Sequence, residues 1–113
     1  MPLQPMPKID FPAGSLTMLI LRVLRGGRMH GYAIAQRIHV LSDEVLRVEE
    51  GSLYPALQRL LANGWAKAEW GTSETGRRVR FYALSAAGRK RLDSEIAEHE
   101  TVVQAIAAVL RGA

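Results

Sequence analysis

The chain has 113 residues, of which 48% are hydrophobic, a formal net charge of +4 and no cysteine. This length fits one small domain with an appended helix, and the absence of cysteine excludes disulfides and thiolate metal sites. No run of about 18 apolar residues is present, which argues against a transmembrane helix. We therefore expect a cytoplasmic protein.

A first helix is predicted after a proline-rich arm that covers residues 1–12. Gly14 and Ser15 can cap a helix that runs to about Arg25, where Gly26 and Gly27 end it. Its apolar residues cover nearly the whole circumference, which predicts a central helix or a subunit interface: Leu16, Met18, Leu19, Ile20, Leu21, Val23 and Leu24.

A second helix is predicted from His30 and Gly31 to about Val40, with His30 capping or packing at its start. Its inward side is predicted to hold Tyr32, Ile34, Ala35 and Ile38. A connector over residues 41–50 follows, in which Leu46 and Val48 can form a short strand.

The third helix is predicted to have one buried and one exposed face. Ser52 is its expected N-cap, which would place Pro55 in the first turn, and Asn63 with Gly64 ends it. The buried stripe contains Leu53, Leu57, Leu60 and Leu61, and the exposed side contains Ser52, Pro55, Gln58, Arg59 and Ala62. Such a pattern is typical of a helix that enters a DNA groove.

The pattern then changes to that of an antiparallel hairpin. Residues 65–70 have strand character, residues 71–76 form a Gly-flanked polar turn, and residues 78–84 alternate basic and apolar side chains. Arg78 and Arg80 share one face of the second strand, whereas Val79 and Phe81 share the other.

The last helix is capped by Ser85, runs to about Leu110 and carries a heptad-like stripe. Because the other helices supply a core, this stripe is predicted to pair with a second copy, together with part of the first helix. The predicted dimer interface contains Leu16, Ile20, Leu92, Ile96, His99, Val103, Ile106 and Leu110.

The order of elements predicts a mostly α (α+β) fold, a winged helix-turn-helix with a C-terminal dimerisation helix. The predicted divisions are an arm at residues 1–12, a winged-helix domain at 13–85 and a dimerisation helix at 86–113. The basic residues are segregated from the acidic ones, as phosphate contact requires.

Four segments resemble the PadR family of bacterial transcription regulators. They are the apolar end of the first helix (residues 19–24), His30-Gly31-Tyr32-Ala33-Ile34-Ala35, the run from Gly51 to Leu60 followed by Asn63-Gly64-Trp65, and Gly76-Arg77-Arg78 leading to residues 81–88. The single last helix is similar to the short subfamily, and residues 10–16 resemble a branch described mainly from acidobacteria and often encoded beside permeases.

This resemblance implies a homodimer that binds operator DNA, usually as a repressor, and that in some members is released by a phenolic acid or a hydrophobic drug. Twofold symmetry then predicts an inverted-repeat operator with half-sites about one helical turn apart. No cofactor and no metal is expected, since no phosphate-binding glycine loop or metal-ligand spacing is present.

The candidate DNA-binding residues lie on the third helix and the hairpin. Tyr54, beside Pro55, can donate to a phosphate, or it can be a half-buried anchor. Ser52, Gln58 and Arg59 can reach base edges, or they can form a solvated face. The hairpin cations can bind the backbone or discourage strand addition: Lys67, Arg77, Arg78 and Arg80. Arg80 has the further alternative of pairing with Glu69 across the hairpin.

Three further residues have two interpretations each. His99 can meet its symmetry mate and weaken a dimer when protonated, or it can be an ordinary hydrogen-bonded interface residue. Trp65 and Trp70 can contact an effector, although a Trp in a hairpin is more often core.

The sequence leaves two alternatives to a regulator. An enzyme is disfavoured because no catalytic constellation is present, and the alternative is a winged-helix protein-interaction module without sequence-specific DNA binding.

Overall fold

The computed structural model describes residues 14–112. The predicted arm at residues 1–12 lies outside this range, as does most of the segment 10–16, and both remain predictions. The elements in chain order are α1 (Ser15–Leu24), β1 (Met29–His30), α2 (Gly31–Leu41), α3 (Glu50–Ala62), β2 (Ala66–Thr72), β3 (Arg78–Leu84) and α4 (Ala86–Arg111). Four helices and a small antiparallel sheet in this order confirm the predicted winged helix-turn-helix.

Helix α1 is the centre of the core. It contacts α2, α3, α4 and β3, and the neighbouring residues Ile20 and Leu21, which a helix places about 100° apart around its axis, are both fully buried. An amphipathic helix buries one stripe, whereas a helix that is apolar on most sides is stable only when it is surrounded. Of the two roles predicted for α1, the structure therefore supports the central one.

Helix α2 begins as predicted but presents one residue differently. The Nδ1 atom of His30 accepts a hydrogen bond from the Ala33 N–H at 3.3 Å, which confirms His30 as the N-cap. Ile34 and Ile38 are buried, but Tyr32 is 68% exposed, so its predicted inward placement is wrong. Tyr32 precedes Ile34 by two residues and Ile38 by six. Residues at these spacings point to different sides of a helix.

Helix α3 starts earlier than predicted. The chain is extended at Glu49, and the helix begins at Glu50, so Ser52 is not the N-cap and Pro55 lies in the second turn. Pro55 lacks an N–H for the carbonyl of Gly51, a loss that is tolerated because both residues are exposed to water. The buried face contains Leu53, Ala56, Leu57 and Leu60, and the helix ends at Asn63, followed by Gly64 with φ of 72°.

The sheet contains a strand that the sequence did not predict. Its order is β1-β3-β2, all antiparallel, with Met29 opposite Tyr82 and His30 opposite Phe81. The strand predicted around Leu46 and Val48 does not form. The Leu46 N–H donates to Ser42 Oγ at 3.0 Å, and its carbonyl oxygen lies 3.2 Å from His39 Nδ1. These side chains satisfy the backbone that a strand would use.

Strands β2 and β3 form the wing, which confirms the predicted hairpin. The register places Trp70 opposite Arg80 and Thr72 opposite Arg78. The connecting turn is closed by a hydrogen bond that the Ser73 N–H donates to the Arg77 carbonyl oxygen at 2.8 Å, and Gly76 adopts φ of 81° there. A glycine is favoured at this φ because a Cβ would be strained.

Helix α4 is anchored at its start and leaves the domain at its end. Ser85 Oγ accepts from the Gly88 N–H at 3.0 Å and donates to the Gly64 carbonyl at 2.6 Å, which confirms it as the cap. Leu92 is fully buried and Ile96 packs against the core. From residue 97 to residue 112 every side chain is exposed except that of Ala107, which is partly buried.

The burial pattern divides the predicted dimer interface into buried and exposed residues, with Ile96 between them, partly buried against the core. Leu16, Ile20 and Leu92 lie in the core of the single chain. They have almost no surface left for a second copy, because the faces of α1 and α4 that carry them are packed together. This corrects their assignment to an interface. His99, Val103, Ile106 and Leu110 lie on the exposed part of α4.

Candidate nucleic-acid interface

A cleft of about 400 Å³ lies between the start of α2, the exposed side of α3 and one face of the wing. Because the three elements reach it from different parts of the chain, its shape depends on how the core packs them. Its lining residues are His30, Gly31, Tyr32, Tyr54, Gln58, Trp70, Arg78, Val79, Arg80 and Tyr82.

The exposed face of α3 forms one wall of this cleft and continues beyond it. Successive residues of an α-helix are rotated by about 100°, which places Tyr54 and Gln58 along the edge nearest the wing. Pro55 lies near the middle of the exposed face, and Ser52 and Arg59 lie along its far edge. All five are exposed. Side chains that differ in length and chemistry are thus presented across one helical surface, as groove recognition requires.

The wing contributes a basic and aromatic wall. Alternation along the strands places Trp70, Arg78, Arg80 and Tyr82 on the same face of the hairpin. The guanidinium carbon of Arg78 lies 5.1 Å from the centroid of the Trp70 ring, a cation–π contact. No carboxylate lines the cleft, so the positive charge of the two arginines is left available for an anion.

The floor of the cleft is built from two tyrosines and the first turn of α2. The Tyr54 hydroxyl lies against Gly31, where an added Cβ would be 3.5 Å from it. Burial raises the pKa of the Tyr82 phenol above its ordinary value, and the charge of Arg80 and a hydrogen bond with it act in the opposite direction. Burial is the larger effect, so the pKa of Tyr82 is raised overall and the phenol is protonated at neutral pH. The N-terminus of α2 beside the Tyr54 hydroxyl favours a negatively charged group.

The opposite face of the wing is occupied by a different cluster. The Arg28 guanidinium lies 4.4 Å from the Phe81 ring centroid and forms an ion pair with Glu69. The predicted alternative of an Arg80–Glu69 pair is therefore wrong: Glu69 is opposite Phe81 in the register, on the face away from Arg80. Arg80 instead faces the cleft, beside Tyr82.

The structure brings some of the predicted DNA-binding residues together and separates others. Tyr54, Gln58, Arg78 and Arg80 line the cleft, and Arg77 is exposed in the turn beside it. Lys67 is exposed, but strand alternation places it on the same face as Glu69, away from the cleft. Ser52, Pro55 and Arg59 share the α3 surface without lining the cleft.

Two aromatic residues of the cleft escaped the sequence analysis. Tyr32 was predicted to face the core, and for Trp70 burial was the favoured alternative, yet both are exposed in the cleft. The exposure of Trp70 follows from its position opposite Arg80, on the same face of the hairpin. This position can be recognised only when the register of the two strands is known. Trp65 instead packs against the core, with the Arg91 guanidinium carbon 4.8 Å from its ring centroid.

Two other kinds of site are absent from residues 14–112. No three His, Asp or Glu side chains in this range lie close enough together to hold a metal ion. None of the described helices is both long and apolar enough to cross a membrane.

Comparison with known proteins adds three relatives. A transcriptional regulator from Clostridium thermocellum is 32% identical and superimposes with a TM-score of 0.76, with coverage of 82% of this chain and 90% of that one. A PadR family transcription regulator from Clostridium difficile is 25% identical with a TM-score of 0.73, with coverage of 86% and 99%. An uncharacterized protein, X, from Lysinibacillus sphaericus is 26% identical over 107 residues, which are 95% of this chain and 98% of that protein.

A family model supplies the assignment. The model of the transcriptional regulator PadR-like family matches residues 20–94, which span the core of α1, the helix pair α2 and α3, the whole wing and the anchored start of α4. The chain belongs to the PadR-like family of transcriptional regulators.

Proposed function

We propose that this protein is a cytoplasmic, homodimeric repressor that binds an inverted-repeat operator through α3 and the wing. One observation carries the proposal: the exposed face of α3 and the two cleft arginines of the wing border the same cleft. With α3 in the major groove, the wing lies over the adjacent backbone. Repression would follow from occlusion of a promoter.

The proposed contacts have separate roles. Tyr54, at the cleft edge beside the start of α2, donates to a backbone phosphate, and Arg77 and Arg80 neutralise phosphates along the wing. Gln58 and Arg59 reach base edges from the two sides of α3, with Ser52 and Pro55 against the groove wall. Lys67 is left out of this set because it lies on the other face of the wing.

The second half of α4 supports the proposed dimer. Its exposed apolar side chains are Val102, Val103, Ile106, Val109 and Leu110. Their spacing of one, three, three and one residues forms a continuous stripe on a helix. Contiguous apolar surface left exposed to water is typical of an association surface, and a second copy of α4 is a matching partner for a self-complementary stripe. His99 lies at the start of the stripe.

Relief of repression by a small hydrophobic or aromatic effector is the final step of the proposal. Family membership carries this step, through the resemblance to members that respond to phenolic acids or hydrophobic drugs. Neither Trp65 nor Trp70 needs an effector to account for its placement, since the first packs on the core and the second faces the DNA cleft.

DNA binding is tested by fluorescence anisotropy with labelled duplex from upstream of the protein's own gene, against scrambled duplex and over a salt series. We expect the upstream duplex to bind more tightly and the affinity to fall steeply with salt, with a log–log slope of about −0.9 per phosphate neutralised. Equal affinity for both duplexes would contradict a sequence-specific regulator. A weak salt dependence would favour the protein-interaction module instead.

Three variants separate the proposed roles. Arg80→Ala should weaken binding to all duplexes alike and reduce the salt slope by about one contact. Gln58→Ala should lower the preference for the specific duplex, by about 1–3 kcal/mol if it pairs with a base. Arg89→Ala removes the same charge from the exposed start of α4, outside the cleft, and should behave as wild type.

The dimer is tested by sedimentation of a double variant, Val103→Glu with Ile106→Glu. Both positions are exposed, so the fold should persist while two charges on the stripe dissociate the dimer. Gln104→Glu with Ala108→Glu adds the same charge on the opposite side of α4, by the rotation of about 100° per residue, and should remain dimeric. A dimeric mass for the first variant would exclude this stripe as the interface.

A further inference from the structure

Trp70 is an exposed indole on the DNA-facing side of the wing. It is 61% exposed, it lies directly opposite Arg80 in the register, and the guanidinium carbon of Arg78 lies over its ring, 5.1 Å from the ring centroid. Phosphate binding alone would need only the charge of an arginine or lysine. The wing thus presents a flat cation and an exposed aromatic ring together on the face that lines the cleft.

The stacking changes what Arg78 can do. A guanidinium is planar, more weakly hydrated than an ammonium group and able only to donate hydrogen bonds. Held on the indole, it has already lost part of the rotamer freedom that binding would otherwise cost. Arg78 is thus suited to a narrow, electronegative space lined by hydrogen-bond acceptors.

The minor groove next to the α3 site offers such a space when its sequence is rich in A·T pairs. A·T pairs present only acceptors there, whereas each G·C pair adds the donor amino group of guanine. A-tracts also narrow the groove and strengthen its negative potential, which attracts arginine. A guanidinium, which is positively charged and can only donate hydrogen bonds, is favoured both by the acceptor-only edges and by the stronger negative potential.

We propose that Trp70 and Arg78 act together as a specificity element that selects A·T-rich minor groove beside the α3 site. Arg78 enters the groove, and Trp70 holds the guanidinium in place while its ring lies against the sugar wall. This inference rests on the proposed function, because it requires α3 to dock in the adjacent major groove.

The test begins with selection of binding sites by the wild-type protein from a randomised duplex library. The selected site is then placed between A·T, G·C or inosine·cytosine flanks. Inosine lacks the 2-amino group, so an I·C pair resembles A·T in the minor groove and G·C in the major groove. We expect A·T and I·C flanks to bind about tenfold more tightly than G·C flanks, a size within reach of one well-placed contact.

Variants assign the preference to the stacked pair. Arg78→Lys keeps the charge but not the planar group, and Trp70→Ala removes the platform; both should reduce the flank preference to about twofold or less. The chain offers a matched control in its second Trp–Arg stack, where Arg91 lies on Trp65 outside the cleft. Arg91→Lys and Trp65→Phe should keep the full preference.

Fluorescence gives a direct readout, since the chain has two tryptophans and Trp65→Phe leaves Trp70 alone. Saturation with the A·T-flanked duplex should shift or quench its emission, and an unchanged spectrum would overturn the contact. A preference that survives Arg78→Lys, or I·C flanks that behave as G·C, would also overturn the inference. If the wild type selects no site at all, the proposed function fails; if it selects a site with indifferent flanks, only this inference fails.

Discussion

Gly88 is the position at which a single methyl group should most clearly reveal how α4 is seated. A Cβ built on Gly88 would lie 2.0 Å from the Trp65 carbonyl oxygen and 2.7 Å from Leu84 Cδ1. Real Cβ atoms essentially never approach closer than 3.0 Å, so Gly88→Ala requires a displacement of roughly 1 Å between α4 and the root of the wing. The obstacle is backbone, which cannot rotate away as a flexible side chain can.

The magnitude follows from two opposed effects. Overpacking costs typically 1–3 kcal/mol, and a backbone obstacle places Gly88→Ala at the upper end, about 3 kcal/mol. Replacing glycine by alanine in a helix returns up to about 1 kcal/mol. We therefore expect a net loss of about 2 kcal/mol in the free energy of unfolding.

The assay is urea denaturation at one fixed protein concentration, because the proposed dimer would make the apparent stability depend on concentration. The matched control is Gly51→Ala in α3, where nothing lies within 4 Å of the added Cβ, so the same substitution should gain about 0.5 kcal/mol. A Gly88→Ala protein as stable as wild type would refute the close approach of α4 to Trp65, and with it the described orientation of the proposed dimerisation helix.

Two further predictions concern the same region and the cleft floor. Ser85→Ala should lose about 1–2 kcal/mol of stability in thermal unfolding, because Ser85 Oγ both caps α4 and donates to the Gly64 carbonyl. Ser85→Asp can accept but not donate, so its stability should fall between those of wild type and Ser85→Ala. Equal stability of all three proteins would contradict this double role. Folding raises the pKa of Tyr82, so its contribution is fully present below the unfolded value of about 10 and is lost as pH rises through the folded one. Tyr82→Phe should therefore lose less stability than wild type as the pH rises above about 10 in urea titrations. Parallel losses would show that Tyr82 is not the group responsible.

The wing shows where sequence pattern is sufficient and where it is not. Alternating basic and apolar residues from Arg78 to Leu84, with a Gly-flanked turn before them, predict a hairpin without any tertiary information. Which residues face each other depends on the turn, and the register places Trp70, not Glu69, opposite Arg80. A shift of one residue exchanges the two faces, which is why the Arg80–Glu69 pair was predicted and the exposed Trp70 was not.

Long helices and their caps are determined by local residues, so the sequence by itself established α1, α2 and α4, the caps at His30 and Ser85, and the winged-helix order. Local periodicity also separated the two faces of α3. Tertiary structure decided the rest: strand β1 forms because β3 offers it an edge, Tyr32 turns outward because the core is filled by Ile34 and Ile38, and Leu92 is buried because α4 packs on α1. The cleft belongs to this second group. Its walls come from α2, α3 and the wing, and only their packing around α1 brings Tyr54, Gln58, Arg78 and Arg80 to one place.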